Sequence, residues 1–399
     1  MKHCRACSGE LFDQPLLTLD HMPASAQDIP DADGIKDDQG ITLSLCQCRS
    51  CGLVQFDCEP VAYYREVIRA GGFSTTMVEL RRQQYRHLID TYQLAGKRFL
   101  EVGCGQGEFL SVLAEFPVKA YGIEYKDSLV KLAGERGLKV RKDFAGSPGQ
   151  QLLGAPYDVF LSFNFLEHQP DPSAMLQVIY DNLAEDGMGL LTVPSFEYIL
   201  EQDGYYEFIR DHLAYYTFDS LAMLLNQNGF EVLEQEMVNR DTISVIVRKV
   251  PVLKRQALYR KNSPLRVPVK KLDVSGLLAS RDRIDREVNA CLEAFAKNNQ
   301  TVAVWGASHQ GFTLAATTGL GEKVRYIIDS APFKQGLFAP ASHLPIVAPE
   351  HFYTDPVDAV LIVAPGYTEE IAGIIRQRFA GPDRPVTILT LRSDRLEYL

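Results

Sequence analysis

Two segments of the chain have the pattern of a buried strand, a glycine-rich turn and a helix, and this pattern restricts the fold most. The first segment reads RFLEVGCGQGEFLSVLAEF from Arg98, and the second reads TVAVWGASHQGFTLAATTG from Thr301. Further apolar runs follow: YDVFLSFNFLEHQ and MGLLTVPS after the first segment, and DAVLIVAPG after the second. Strands that alternate with helices form parallel, doubly wound sheets. The sequence therefore predicts an α/β protein with two such sheets.

The cysteines are concentrated near the N-terminus, where six of the eight fall within the first 58 residues. Four of them form two C-x2-C pairs, Cys4 with Cys7 and Cys48 with Cys51. Each pair can hold one side of a tetrahedral metal ion from a tight turn, and four thiolates are typical of structural Zn²⁺. Cys46 is the rival of Cys48 as a ligand. Free buried thiols are the alternative to a metal site.

Composition limits the setting of these domains. The net charge of −10 over 399 residues argues against a nucleic-acid partner and an anionic membrane surface. No apolar run approaches about 18 residues and the N-terminus lacks an apolar signal segment, so we expect a cytoplasmic chain. We predict a zinc module, a core α/β domain, a connector and a second α/β domain. Their predicted bounds are 1–65, 66–250, 251–280 and 281–399.

The first glycine turn has the features of a cofactor site. Gly103, Gly105 and Gly107 let the backbone approach a ligand at the carboxyl edge of the sheet. Glu124 ends the next strand, in YGIEY, where an acidic residue can accept both hydroxyls of a ribose. No G-K-[ST] follows the turn, which excludes a P-loop. A nucleotide-binding domain of another class is the alternative.

The E-x-G-x-G-x-G pattern that begins at Glu101, together with Glu124, resembles the class I S-adenosylmethionine-dependent methyltransferases. Lys142-Asp143-Phe144 stands where that family builds its adenine pocket, and FNFLEHQPDPSAML follows the fourth strand. The resemblance implies S-adenosylmethionine as the cofactor. It also implies a cofactor site lined by Glu101, Gly103, Gly105, Gly107, Glu124, Asp143, Phe144 and Phe163.

Nearly the whole chain resembles the deoxysugar C-methyltransferase family. The resemblance rests on LTLDHMPAS and LSLCQCRSCGLVQ in the N-terminal part, and on YIIDSAPFKQGLFAPASHLPIVAPE in the C-terminal part. It implies a class I methyltransferase sheet between an N-terminal zinc module and a C-terminal Rossmann-like domain. It also implies that the C-terminal domain binds the nucleotide part of a nucleotide-linked sugar substrate rather than NAD.

The stretch IRDHLAYYTF, residues 209–218, matches the family's pattern of an acidic residue, a histidine, a leucine and aromatic residues. The resemblance implies that His212 removes a proton from the carbon next to a ketone, and that the enolate then takes the methyl group. Asp211 is expected to orient the imidazole or stabilise its cation, and Tyr215 and Tyr216 to shape the pocket. An imidazole titrates near neutral pH, which suits this chemistry. His168 is a second candidate base, and a structural role for His212 is the alternative.

The chain also departs from the family's pattern. Members carry Glu before the histidine, a tyrosine two positions before that Glu, and a tyrosine in the loop before the first core helix. This chain has Asp211, Ile209 and Phe73 at these places; Tyr63 and Tyr64 lie near Phe73 but are not predicted to be equivalent. The second glycine turn reads HQGF, residues 309–312, where a family-like sequence reads AKGN. Two alternatives stay open: an O- or N-methyltransferase, and a scaffold that binds the cofactor without turnover.

Overall fold

The computed structural model describes residues 3–67, 74–254, 269–364, 366–381, 384–392 and 394–399. Phe73 and residues 255–268 of the predicted connector lie outside these ranges.

Three N-terminal strands form an antiparallel sheet, to which the later chain adds a fourth strand. The strands are β1, Leu17–Met22; β2, Ile41–Gln47; and β3, Val54–Phe56. Strand β1 alternates buried and exposed residues over its first four positions, which is the pattern of a strand with one face on a core. The added strand is Ala214–Tyr215, which pairs with β3.

A seven-stranded sheet forms the centre of the molecule. Its strands are β4, Arg98–Val102; β5, Lys119–Glu124; β6, Val140–Lys142; β7, Tyr157–Phe163; β8, Leu183–Pro194; β10, Phe230–Val238; and β11, Thr242–Lys249. The added strand of the N-terminal sheet, Ala214–Tyr215, is β9. The order in the central sheet is β10-β11-β8-β7-β4-β5-β6. Strands β4 to β8 are parallel, and β10 and β11 are antiparallel. Because the chain runs outward in both directions from β4 and β7, the crevice for a ligand opens at the carboxyl ends of these two strands.

Helices cover both faces of this sheet. They are α1, Thr75–Thr91; α2, Glu108–Leu113; α3, Asp127–Glu135; α4, Pro172–Asp181; α5, Phe196–Glu201; and α6, Phe218–Gln227. Helix α1 starts where the Ser74 side chain accepts a hydrogen bond from the amide of Met77. Its buried Tyr85, Leu88 and Ile89 follow the spacing of one helix face, so they pack on the sheet.

The C-terminal part forms a second doubly wound sheet. Its elements are α7, Ser275–Lys297; β12, Val302–Trp305; α8, His309–Thr317; α9, Leu320–Lys323; β13, Ile327–Ile328; β14, Ile346–Val347; β15, Ala359–Ile362; α10, Thr368–Ile374; β16, Thr387–Arg392; and β17, Arg395–Tyr398. The strand order is β14-β13-β12-β15-β16-β17, with only β17 antiparallel. The two sheets confirm the predicted fold class.

Helix α7 begins within the predicted connector, and β9 of the core contributes to the N-terminal sheet. The proposed bounds therefore divide the sequence, but they do not divide the structure into separate units. Within the described ranges, the structure contains no helix with the length and hydropathy of a membrane span.

Candidate active site

The first glycine turn has a backbone that only glycine adopts easily. Gly103, Gly105 and Gly107 have φ values of 70°, 60° and 84°, all in the left-handed region. A Cβ on Gly103 would lie 3.0 Å from the Phe165 ring, and one on Gly107 would collide with the side chain of Leu138. The turn at the carboxyl end of β4 therefore requires glycine both for its backbone conformation and for its packing against Phe165 and Leu138.

Glu124 faces this turn from the end of β5. Its carboxylate accepts hydrogen bonds from the amides of Gly105, at 3.0 Å, and Lys126, at 2.9 Å. The side chain is buried, so these two amide donors fix the carboxylate beside the glycine turn. The structure thus brings together the two parts of the predicted ribose site.

An aromatic cluster lies next to Glu124. The ring of Phe144 packs edge-on against Tyr64, Tyr125 and Phe165, with centroid distances of 5.9, 6.0 and 6.2 Å. The neighbouring Asp143 accepts hydrogen bonds from the amide of Phe144 and from the side chain of a glutamine, Gln150, at 2.8 and 2.7 Å. Tyr64, Tyr125 and Phe165 were not predicted as members of the cofactor site. For Tyr125 the sequence offered a signal, because this residue directly follows Glu124 at the end of β5.

Phe163 and Glu101 do not reach this aromatic cluster. The ring of Phe163 is 1% exposed and packs against Tyr85 and Phe109 on the α1 side of the sheet. The guanidinium of Arg81 lies 3.6 Å from its centroid. Glu101 is fully buried within β4. Strand β7 ends at Phe163, and Asn164 has a left-handed backbone with φ of 48°, so the chain changes direction before Phe165, whose ring lies at the glycine turn.

Two histidines meet beyond β7, where the chain makes a single 3-10 turn over Leu166–His168. The rings of His168 and His212 contact edge to face, with centroids 4.7 Å apart. Nδ1 of His168 lies 2.8 Å from the carbonyl oxygen of Asp211. Because a carbonyl only accepts, His168 carries its proton on Nδ1, and its Nε2 is an acceptor.

Both imidazoles are held in the neutral form. Burial lowers the pKa of His168. Burial, followed by the charges of His168 and His309, keeps the pKa of His212 well below its ordinary value of 6.5. At neutral pH the pair therefore has nitrogen lone pairs with which to accept a proton. The ligand-capable atoms of Glu167, His168 and His212 lie within 4.8 Å of one another, so the cluster is compact.

Asp211 does not have the predicted contact with His212. Its buried carboxylate accepts a hydrogen bond from the Tyr63 hydroxyl at 2.6 Å and one from the amide of Ala26 at 3.0 Å. Burial, and then the charge of Asp211, raise the pKa of Tyr63 well above its ordinary value, so this hydroxyl acts as a donor. The expectation that the Asp211 carboxylate orients His212 is corrected: the carbonyl of Asp211 orients His168 instead.

The two tyrosines after His212 differ in their surroundings. The Tyr215 ring lies 6.1 Å from that of His212, and its hydroxyl bonds to the backbone of Ile209. Tyr216 is fully buried in the core cluster of the central sheet. Only Tyr215 therefore neighbours the histidine pair.

A small pocket, partly open to solvent, lies where the N-terminal module, the residues before His212 and helix α8 meet. It is lined by Pro23, Ser25, Ala26, Ile209, Arg210, His309, Phe312 and Thr313. His309 and Gln310 contact the carboxylate of Glu207 at 3.4 and 2.8 Å, which ties α8 to the methyltransferase core. Three residues at which the chain departs from the family's pattern, Ile209, His309 and Phe312, line this pocket.

The four predicted metal ligands come together in the N-terminal module. The Sγ atoms of Cys4, Cys7, Cys48 and Cys51 lie within 4.8 Å of one another, with Cys4 and Cys51 at 3.4 Å and Cys7 and Cys48 at 3.5 Å. Cys46 stands outside this group, with its Sγ directed to the carbonyl of Ser44. The thiols of all four are in reach of one ion.

Comparison with known proteins identifies two parts of the chain. The family described as a methyltransferase domain matches residues 77–235, and the C-methyltransferase C-terminal domain matches residues 276–380. The C-methyltransferase NovU of Streptomyces niveus is 22% identical over 384 residues, which cover 92% of this chain and 90% of that protein. These matches confirm the predicted resemblance to C-methyltransferases. The protein is an S-adenosylmethionine-dependent methyltransferase.

Other proteins are similar to smaller parts of the chain. The ubiquinone biosynthesis O-methyltransferase of Bordetella parapertussis is 34% identical over 89 residues, which cover 21% of this chain and 37% of that protein. Magnesium protoporphyrin IX methyltransferase from Synechocystis PCC 6803, with bound SAH, has a TM-score of 0.36 at 16% identity and covers 47% of this chain and 92% of that one. A methyltransferase from Clostridium acetobutylicum ATCC 824 has a TM-score of 0.36 at 13% identity, with 47% and 96% covered.

Proposed function

We propose that this methyltransferase methylates a carbon next to the ketone of a nucleotide-linked keto-deoxysugar, with His212 as the proton acceptor. The observation that carries the proposal is the contact between two neutral imidazoles, His168 and His212, at the end of β7. A base of this kind is needed for carbon methylation, because a carbon acid must lose a proton before it becomes a nucleophile. The similarity to a C-methyltransferase along nearly the whole chain supports the choice of carbon.

The cofactor site proposed here fits S-adenosylmethionine. Gly103, Gly105 and Gly107 have left-handed backbones and no side chains, which suits close approach of a ligand to the turn. Glu124 is the acceptor for the ribose hydroxyls, and Phe144 with its aromatic neighbours covers the adenine. Bound S-adenosylmethionine supplies an activated methyl group on a sulfonium sulfur. The proposed site also includes Glu101, Gly105, Gly107 and Asp143. Phe163 is packed in the core and would affect the site only through that packing.

The residues of this chain then have two tasks. A nitrogen lone pair of His212 takes the proton from the substrate carbon, and the electrons of that C–H bond pass to the ketone oxygen as an enolate. His168 packs against His212 and, through its Nδ1–H bond to Asp211, keeps its own Nε2 free of a proton. The proton stays on the imidazole of His212 while the enolate carbon takes the methyl group. One histidine therefore removes the proton in the first step and retains it in the second.

We propose that part of the substrate binds at the pocket that is lined by Ile209 and Arg210, close to His212 in the sequence. Ile209, His309 and Phe312 line it, and helix α8 of the C-terminal domain forms one wall, which is consistent with a C-terminal domain that holds the nucleotide part. The proposed domains keep the bounds 1–65, 66–250, 251–280 and 281–399.

We propose a structural Zn²⁺ for the four N-terminal cysteines. A tetrahedral ion with Zn–S bonds of about 2.3 Å places its sulfurs about 3.8 Å apart. The Sγ pairs at 3.4 and 3.5 Å are close to this spacing, and the remaining ones stay within 4.8 Å. Four protein ligands leave no open position, so the ion stabilises the module and takes no part in the chemistry.

Two measurements test this function. A panel of nucleotide sugars is incubated with S-adenosylmethionine, and formation of S-adenosylhomocysteine identifies the substrate. That substrate is then incubated in D2O with enzyme but without methyl donor. Uptake of deuterium at the carbon to be methylated is expected for carbon chemistry. Methyl transfer without such uptake, and with the methyl group on oxygen or nitrogen, would indicate the alternative methyltransferase class.

A further inference from the structure

The N-terminal module and the segment that carries His212 share one sheet. Strand β3 pairs with β9, so that Val54 lies opposite Tyr215 and Gln55 opposite Ala214. The carbonyl of Leu213 accepts a hydrogen bond from the amide of Phe56 at 3.1 Å, and its own amide bonds to the carbonyl of Glu167 at 2.8 Å. The residue directly after His212 is therefore held from both sides.

A second connection is made by side chains. The hydroxyl of Tyr63 donates to Oδ2 of Asp211 at 2.6 Å and accepts from the amides of Ala26 and Gln27, both at 3.2 Å. The amide of Ala26 also reaches Oδ1 of Asp211 at 3.0 Å. Hydrogen bonds to a buried carboxylate are stronger than those between neutral groups. One phenol and one carboxylate thus join the segments 25–27, 61–64 and 209–212.

The pair formed by Tyr63 and Asp211 is connected to the two histidines and to the wall of the pocket. The carbonyl of Asp211 accepts the Nδ1 proton of His168, and His212 is the next residue in the chain. Ala26, which is bonded to Asp211, also lines the pocket together with Ile209. A shift of Asp211 would therefore move both imidazoles and one wall of the pocket at the same time.

We propose that Tyr63 and Asp211 are a positioning pair, through which the N-terminal module sets the geometry of His168, His212 and the pocket wall. The effect on turnover rests on the proposed function of His212, whereas the mechanical connection does not. Tyr63 is a positioning residue and not an acid that meets the substrate, because its only hydroxyl proton is directed to Asp211. The role of Asp211 is thus to anchor the loop.

The variant Tyr63→Phe tests the proposal, because it keeps the ring and removes only the hydroxyl. We expect kcat to fall roughly tenfold to hundredfold, the scale of a misplaced catalytic group, with S-adenosylhomocysteine affinity unchanged. The matched control is Tyr180→Phe. Tyr180 lies on α4, and the change removes a buried hydroxyl that donates to the carbonyl of Val250 at 2.7 Å. Its kcat is expected to stay within about twofold of the wild-type value.

Two further readouts separate positioning from general loss of structure. The double variant Tyr63→Phe with Asp211→Asn is expected to be no slower than the slower single variant, because both changes break the same bond. Hydrogen–deuterium exchange of the backbone amides of residues 209–216 is expected to be faster in Tyr63→Phe than in Tyr180→Phe. This exchange needs no substrate, so it decides the mechanical connection even if the proposed carbon methylation fails.

The proposal is overturned by any of three results. Equal exchange of residues 209–216 in Tyr63→Phe and the wild type would remove the connection itself. Faster exchange with an unchanged kcat would show that the connection exists but does not set the catalytic geometry. Additive losses in the double variant would likewise mean that the two residues act separately.

Discussion

His168 and Asp211 are joined through the main chain: Nδ1 of the imidazole donates to the carbonyl oxygen of Asp211 at 2.8 Å. This bond fixes the tautomer of His168 and brings its ring to His212, 4.7 Å away. The bonded groups are 43 residues apart in sequence, and the chain between them forms α4, β8 and α5, so the pair depends on the folded core.

Removal of the proposed base should abolish chemistry and leave binding intact. We expect His212→Asn to lower single-turnover methylation by about two to four orders of magnitude, since a positioned acid/base group contributes on that scale. S-adenosylhomocysteine affinity, measured by calorimetry, should not change. His87→Asn is the control, because His87 lies at an exposed contact with Glu234 outside the site. If His212→Asn keeps a near wild-type rate, His168 becomes the candidate base.

Activity should persist to a lower pH than an ordinary histidine allows. The neutral imidazole is the active form, and burial keeps the pKa of His212 well below 6.5. The acid limb of kcat/KM should therefore fall below pH 6.5, whereas an exposed histidine would give a limb at that value. The unfolded chain takes up these protons first, so stability should decrease as the pH drops below 6.5. A limb at or above pH 6.5 would contradict a buried base.

Glu124→Ala should weaken the cofactor rather than the fold. The carboxylate is the proposed acceptor for the ribose, and hydrogen bonds to charged groups contribute about 1.5 to 3 kcal/mol. This corresponds to a loss of affinity of roughly tenfold to 150-fold. Calorimetry with S-adenosylhomocysteine measures it, and Glu115→Ala, at an exposed ion pair with Arg82, is the control. Unchanged affinity in Glu124→Ala would place the ribose elsewhere.

Phe163 and Phe165 should differ in what they support. Phe163→Ala removes a fully buried ring and is expected to cost about 3 to 5 kcal/mol of stability, visible as a lower midpoint of denaturation. Phe165→Leu removes the ring next to Gly103 and Phe144, so it should weaken cofactor affinity more than stability. The opposite pattern would return Phe163 to the cofactor site.

Zinc should depend on one cysteine of a close pair and not on the other. We expect one zinc ion per chain, lost in Cys48→Ser and kept in Cys46→Ser, because the Sγ of Cys46 stands outside the group of four. Metal analysis of the purified variants measures this. Zinc that survives Cys48→Ser but not Cys46→Ser would reverse the ligand assignment.

The parts of the site that lie close together in sequence were the ones that could be predicted. A glycine turn between a strand and a helix is local, and so is each C-x2-C pair, so both were found from spacing. The contact between Tyr63 and Asp211 spans 148 residues and depends on how two domains dock, which no local pattern records. The position of Phe165 next to the glycine turn has a different cause: β7 ends at Phe163, and the left-handed backbone of Asn164 redirects the chain, which a strand pattern does not reveal.

The neighbouring residues Asp211 and His212 illustrate the same limit. Their adjacency in sequence favoured a carboxylate–imidazole pair, but the backbone directs the two side chains to different partners. The carboxylate binds Tyr63 and Ala26, and the imidazole meets His168. The residue types indicated an acid/base site, whereas the pairing within it required the fold.

The shared sheet of β3 and β9 also has a consequence for synthesis on the ribosome. The first 65 residues emerge with three strands and an open edge at β3, and the strand that closes this edge ends at Tyr215. The N-terminal module therefore cannot complete its sheet until about 150 further residues have been translated. An exchange of this module between related enzymes would have to carry a compatible β9 with it, so the two segments are constrained to evolve together.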